Sequence, residues 1–205
     1  MKKLLIILAI IVVATALPFS RMLVEVATAQ SQHIEEIVKE GDVIFQTSES
    51  RQSPLIQIGT CSKITHCGII VMRNGEPYVL ETLKTLVLTP LDKFIARGKD
   101  GKYWLKRSDK ENIKIEYGKY LGKSYDLAFS FDNDIYYCSE LVYDIYLNQL
   151  GIKLCEPKKV GDYLILGTDQ LSIIEKEMTR RGITKEQYAV APVDIFKSDY
   201  LKSVE

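Results

Sequence analysis

Histidine is nearly absent from this chain, which has only His33 and His66 among its 205 residues. His33 lies in a polar lead-in outside any convincing core element, so a single imidazole is left to act as a base. An excess of one charge sign is lacking too. The 27 basic and 27 acidic side chains cancel, and no stripe of interleaved Lys, Arg and aromatics occurs. That balance argues against nucleic acid or another polyanion as partner. There is no Gly-rich phosphate loop, no internal repeat and no low-complexity tract, which removes the signatures of P-loop nucleotide binding and of repeat architectures. The four cysteines lack the paired C-x₂-C spacing of structural zinc sites. His66 with Cys61, Cys67 and Cys138 is therefore a weak metal-ligand set, and neither a metal nor another cofactor is expected.

Long apolar runs are scarce as well. The clearest, Leu4 to Phe19, follows Met1-Lys2-Lys3 and is trailed by Ala27-Thr28-Ala29. A positive start, an apolar stretch and small residues before a cleavage point make residues 1–29 an export signal, with the mature protein starting near Gln30. The alternative is an uncleaved anchor, but the run is shorter than the roughly 20 residues that span a bilayer and ends in Pro18 and Arg21. The expected location is periplasmic or extracellular, with no stable membrane span once the signal is removed. No Cys closely follows the run, so lipid attachment there is not expected.

Residues 30–205, in a chain 46% hydrophobic and 26% charged, suffice for one domain with its own core. Export invites a disulfide count. With Cys138 kept as a thiol, however, Cys61, Cys67 and Cys155 cannot all pair, and a chain this long needs no staples. All three are read as free, with Cys61 and Cys67 the one local pair to test.

The densest structural signal is His66 to Arg73, then Asn74-Gly75, then Pro77 to Leu83. Asn-Gly between two apolar runs specifies a two-residue hairpin, because a type I′ turn needs positive φ at both central positions. Arg73 then faces Glu76, Gly68 faces Glu81, and His66 and Glu81 fall on one face as diagonal neighbours. Their Cβ atoms should lie within about 8 Å, which an imidazole and a glutamate can bridge. Elsewhere, Gln32 to Lys39 reads as a short helix, Val43 to Phe45 as a strand, Pro54 to Gly59 as a short helix or turn and Lys102 to Lys106 as a strand. Asp109 to Tyr120 reads as a polar linker leading into a helix. Asp132, Asn133 and Asp134 offer N-cap chemistry ahead of a helix from Cys138, whose apolar positions Leu141, Val142, Ile145 and Leu150 recur at helical spacing before Gly151. A second helix runs from about Thr168 to Arg181 and stops at Gly182, Thr184 and Gln187 form a capping-box pattern, and Ala191 to Phe196 is extended or a turn.

Two side chains carry the chemistry. A helix N-terminus and a nearby imidazole lower a thiol's pKa from about 8.5 and make it a nucleophile. Cys138 has the first and His66 can supply the second. Glu81, between Leu80 and Leu83 in an apolar strand, needs a partner for its charge and would orient the imidazole. The bland alternatives are a buried helix Cys, a structural strand His and a surface carboxylate. Cys67 points to the face opposite His66 and reads as core.

These segments resemble the NlpC/P60 superfamily of papain-like cysteine hydrolases, in its circularly permuted YiiX/YaeF-like branch. Gly41-Asp42-Val43-Ile44-Phe45, His66-Cys67-Gly68-Ile69, Gly122-Lys123-Ser124-Tyr125 and Tyr137-Cys138-Ser139-Glu140-Leu141-Val142 carry the likeness, which spans most of Gly41 to Val204. Histidine precedes cysteine, and that order is the permutation. The resemblance implies an α+β fold, an antiparallel sheet packed against the helix that bears the nucleophile. It implies Cys138 as nucleophile, His66 as general base, Glu81 as orienting residue, Tyr125 and Ser139 lining the substrate site, and the Cys138 amide as an oxyanion donor. Cys67 departs from the usual small aliphatic residue. The implied reaction is amidase or peptidase chemistry on a cell-wall peptide or an acyl-amide. Acyl transfer, lipid-ester hydrolysis and a non-catalytic peptidoglycan- or lipid-binding module are the alternatives.

Overall fold

Asn74 and Gly75 take φ of 55° and 84°, the conformation a tight primed turn requires. They join strand β2 (His66–Arg73) to β3 (Glu76–Thr82), with Arg73 opposite Glu76 and Ile69 opposite Leu80, the register the sequence specifies. The computed structural model describes residues 34–131, 133–164 and 168–204, without the side chains of 168–170. The expected signal segment, His33 and Asp132 lie outside the described residues. Two units cluster separately, Met1–Val38 and Lys39–Glu205. In the first, residues 34–37 are helical. The rest of the fold belongs to the second.

The second unit is built on a six-stranded antiparallel sheet. Besides β2 and β3 it contains β1 (Val43–Ser48), β4 (Leu86–Pro90), β5 (Gly98–Arg107) and β8 (Lys202–Ser203), in the order β4-β3-β2-β1-β5-β8. Helix α1 (Ser53–Thr60) follows β1, and α2 (Leu91–Ala96) links β4 to β5. Helix α3 (Cys138–Leu150) lays its apolar face on the sheet. Leu141, Val142, Ile145 and Tyr146 are buried there against Val43, Phe45, Cys67, Ile69 and Leu80, each aliphatic side chain contributing about 1.5–3 kcal/mol. Gly151, at φ 70°, ends α3. Helix α4 (Thr168–Arg181) ends at Gly182, φ 71°, and a small ribbon pairs β6 (Lys158–Lys159) with β7 (Tyr188–Ala189). The antiparallel sheet and the helix bearing Cys138 agree with the α+β expectation.

Several local expectations need correction. The expected strand at Lys102 begins four residues earlier, at Gly98, and β4 and α2 were not expected at all. Among the described residues no helix lies between Tyr120 and α3; the chain gets there through loops and isolated bridges such as Thr85 with Ser124 and Tyr125 with Tyr136. The N-cap of α3 is Tyr137, not an Asp or Asn, and its backbone N–H donates to Glu140 Oε2 at 3.4 Å. Thr184 and Gln187 bond reciprocally, at 2.9 and 3.2 Å, but close a turn instead of starting a helix. Ala191 to Phe196 contains a helix, α5 (Pro192–Phe196), because Asp194 accepts from the Ala191 N–H at 3.1 Å and Pro192 presets the first turn.

Gly68 is where the hairpin tolerates no side chain. A Cβ there would sit 2.8 Å from the Leu80 carbonyl oxygen and closer still to Val79 Cγ1. Gly68→Ala is expected to lose about 1–3 kcal/mol in urea unfolding, the usual result of overpacking. A loss under about 0.5 kcal/mol, the range of neutral surface changes, would contradict this register.

Candidate active site

His66 opens β2, so its ring stands at the end of the sheet, where the α3 N-terminus arrives. Its Nε2 donates to Glu81 Oε2 at 2.7 Å. The other nitrogen, Nδ1, is then the one left to serve the Cys138 thiol, which lies near enough to the imidazole for each to shift the other's pKa. The ring stacks on Phe94 of α2, with centroids 5.7 Å apart at 24°. The second Glu81 oxygen, Oε1, accepts from Arg97 Nη2. The Arg97 guanidinium also lies 5.9 Å over Phe94. Glu81 itself is fully buried, so its charge depends on those two cations and on a hydrogen bond from Thr89.

Electrostatics follow from this packing. Burial alone would raise the Glu81 pKa, but the hydrogen bonds and charges of His66, Thr89 and Arg97 outweigh it and hold the carboxyl below its usual range. Burial would likewise drive protons off His66, yet Cys138 and Glu81 together lift its pKa to about 10. The Cys138 thiol is pulled well below its ordinary value, first by a hydrogen bond from Cys67, then, against burial, by the bond and charge of His66. Cys67 is pushed well up by burial and by Cys138, so it remains a protonated S–H donor. Both shifts favour the same charge arrangement, a thiolate at Cys138 beside an imidazolium at His66.

Cys67 is thus more than packing. It faces α3, as expected from strand alternation, but that face also brings its thiol to Cys138. All four cysteines are free, and the proximity sequence reasoning missed is Cys67 with Cys138, not Cys61 with Cys67. Arg97 was missed too, for want of any local motif. Tyr125 lies at the site, and its hydroxyl donates to Gln52 Oε1 at 3.0 Å. Ser139 lines the same groove, but its hydroxyl is committed to the Val190 carbonyl at 2.7 Å and so ties α3 to the segment before α5. The Cys138 amide belongs to the first helical turn, whose N–H groups lack intrahelical acceptors.

Two cavities meet at Gln52, Ile56 and Tyr125. The first, about 150 Å³, ends on Cys138 and is walled by Leu55 and Ile56 of α1, Ile174 and Met178 of α4, Phe129 and Val190. Helix α4 is therefore a wall of the site. The second, about 570 Å³, opens on His66 and is lined mainly by polar side chains.

A buried thiolate at a helix start, an imidazolium against it and a carboxylate behind the imidazole define a cysteine hydrolase of papain-like design. Cysteine follows histidine along the chain, the permuted order. The chain belongs to the permuted papain-like amidase family, YaeF/YiiX or C92, whose model matches residues 37–205. Among similar proteins is YiiX of Escherichia coli K12, described as uncharacterized and 36% identical over 171 residues, which cover 80% of this chain and 84% of that protein. A crystal structure of YiiX from Escherichia coli O157:H7, described as a metalloprotein, superposes with a TM-score of 0.74 at 36% identity, covering 82% of this chain and 96% of that one. In the present chain no three His, Cys, Asp or Glu side chains converge to hold a metal ion among the described residues. The donor set among the described residues does not fit a resident metal.

Reactivity against pH tests the ion pair. Alkylation of Cys138 by iodoacetamide is expected to be fast already below neutral pH, to fall only where the lowered thiol pKa is crossed downward, and to change again near pH 10 as His66 deprotonates. His66→Ala removes the imidazolium, so the thiol's midpoint moves up. A single rise near the ordinary thiol value of about 8.5, unchanged in His66→Ala, would refute the pair.

Proposed function

We propose that this protein is an exported cysteine amidase that cleaves acyl-amides, with Cys138 as nucleophile, His66 as general acid and base, and Glu81 as the group that orients and charges His66. Family membership supports cysteine hydrolase chemistry on an amide or peptide-type bond. The observation that carries the finer reading is the groove ending on the thiol. Its walls are aliphatic and aromatic, and its charged rim residues Glu177 and Arg181 are paired with each other at 2.7 Å. An apolar acyl group fits this lining better than a polar cell-wall peptide.

In the proposed reaction the Cys138 thiolate attacks the amide carbonyl and forms the C–S bond, with negative charge passing to the carbonyl oxygen near the Cys138 N–H. The His66 imidazolium gives its proton to the departing nitrogen as the C–N bond breaks, leaving a thioester. Neutral His66 then takes a proton from water as hydroxide adds to the thioester carbonyl; the C–S bond breaks, the acid leaves, and the imidazolium keeps its proton beside the released thiolate, which restores the starting pair. Throughout the cycle Glu81 stabilises the charged ring.

The same groove fits lipid-ester hydrolysis, so paired N-acyl and O-acyl substrates should be compared. Export rests on the sequence of residues 1–29. Among the described residues no helix is long and apolar enough to cross a membrane. Amino-terminal sequencing of the secreted protein tests that reading, and a start near Gln30 is expected.

With N-acyl substrates of increasing length, kcat/KM is expected to rise until the groove is filled, by about fourfold per added methylene at about 0.8 kcal/mol each. Cys138→Ala should abolish turnover, and His66→Ala should lower kcat by about 10²–10⁴-fold, the usual contribution of a general acid–base. Met178→Lys should remove the chain-length dependence while leaving the Cys138 alkylation profile unchanged. Turnover that persists in Cys138→Ala, or that is indifferent to acyl length, would overturn the reading.

A further inference from the structure

The recess on the His66 side is larger than the acyl groove and chemically unlike it. Gln46 and Thr82 line it, at 2% and 1% exposure, and each keeps a side-chain oxygen without a hydrogen-bond partner. Leaving a buried polar group unsatisfied costs about 1–3 kcal/mol. Both oxygens are closed to solvent, and Gln46 Oε1 lies against Gly98, so they belong to the wall of the recess and are not acceptors presented in it. Two cations line the same recess. Lys84 has no ion-pair or side-chain hydrogen-bond partner among the described residues. Arg97 gives Nη2 to Glu81 and has no other side-chain hydrogen-bond partner among the described residues. Glu49 is the one acidic lining residue, and Arg97 and His66 are offset by the buried Glu81, so Lys84 is the cation of this lining that has no carboxylate partner among the described residues.

We propose that this recess receives a leaving group bearing a carboxylate, so that the substrate is the N-acyl derivative of an amino acid. The inference rests on the amidase reading above and names its leaving group. The acyl chain lies toward α1 and α4, and the scissile bond sits where the cavities meet. The departing amine meets His66, and its carboxylate meets Lys84 and the Arg97 N–H groups not given to Glu81.

Two probes test this without a substrate. Iodoacetylglycine and its neutral analogue iodoacetylglycinamide both alkylate a thiolate. A bond forms from Cys138 Sγ to the methylene carbon, iodide leaves, and the glycyl end extends toward the leaving-group side. Rates are read near neutral pH on the Cys138 peptide by mass spectrometry, which separates them from labelling of exposed Cys61. The carboxylate probe is expected to react about tenfold faster, the scale of a hydrogen bond to a charged group. Lys84→Gln should cut that ratio about threefold with the neutral probe's rate unchanged, and Glu49→Gln should raise it about as much. Equal rates in the wild type, or a ratio insensitive to both substitutions, overturns the leaving-group assignment while the amidase reading stands. If Cys138 is inert to both probes and to iodoacetamide, the amidase reading falls and this inference with it.

Discussion

One buried carboxylate organises the site. Glu81 is withdrawn from water, and a lone charge in that position would cost several kcal/mol even after relaxation. It stays ionised because a guanidinium takes one oxygen and an imidazolium the other. Each partner comes from a different stretch of chain. The Asn74-Gly75 turn sets the register that brings Glu81 to His66, and β4 with α2 returns the chain so that Arg97 reaches the far side. Phe94 stacks on His66 and lies beneath Arg97, which fixes both cations against the carboxylate they share. Hairpin, α2 and the start of β5 are thereby bound to a single electrostatic requirement.

The sulfur obeys the same logic from the other direction. A buried thiolate is no more tolerable alone than a buried carboxylate, and an imidazolium in the same place would lose its proton to burial. Side by side, each makes the other's charge sustainable, and Glu81 tips the balance toward the charged pair. Cys67 adds a donor that costs no extra charge. Its own burial pushes its pKa up, and its proximity helps to hold that of Cys138 down. An aliphatic residue at that position would leave His66 and the helix terminus to stabilise the thiolate alone.

What could be read from the sequence was whatever local chemistry decides. Asn-Gly fixed a turn, alternation then placed His66 with Glu81, and the glycines after Leu150 and Arg181 ended two helices. The missed parts depend on distant partners. Leu86 to Pro90 follows Leu83 after only Lys84 and Thr85, with no strong turn signal, so β4 was hidden, and Arg97 has meaning only once α2 has turned back on the sheet. Strand alternation placed Cys67 on the face away from His66 but could not say that α3 would bring a second thiol to that face. At Ala191 to Phe196 the Pro at the first helical position was a usable signal, outweighed by the shortness of the segment. The polar recess had no sequence signature, since Gln46, Thr82, Lys84 and Arg97 converge only through the sheet.

The two cavities give the proposed reaction a direction. An imidazolium can assist cleavage only if the departing nitrogen lies on its own side, so the leaving group belongs in the recess that opens on His66 and the acyl group in the groove that ends on Cys138. Substrate polarity and catalytic geometry then agree without further contacts. Once the amine has gone, the groove is still filled by the acyl chain and admits no water, whereas the vacated recess is polar and leads straight to the now neutral imidazole. In the proposed cycle the same recess would bind the leaving group in the first half and deliver the hydrolytic water in the second. An acceptor other than water would have to enter by that route as well, so the competition between hydrolysis and acyl transfer is decided by what the recess admits and not by the triad.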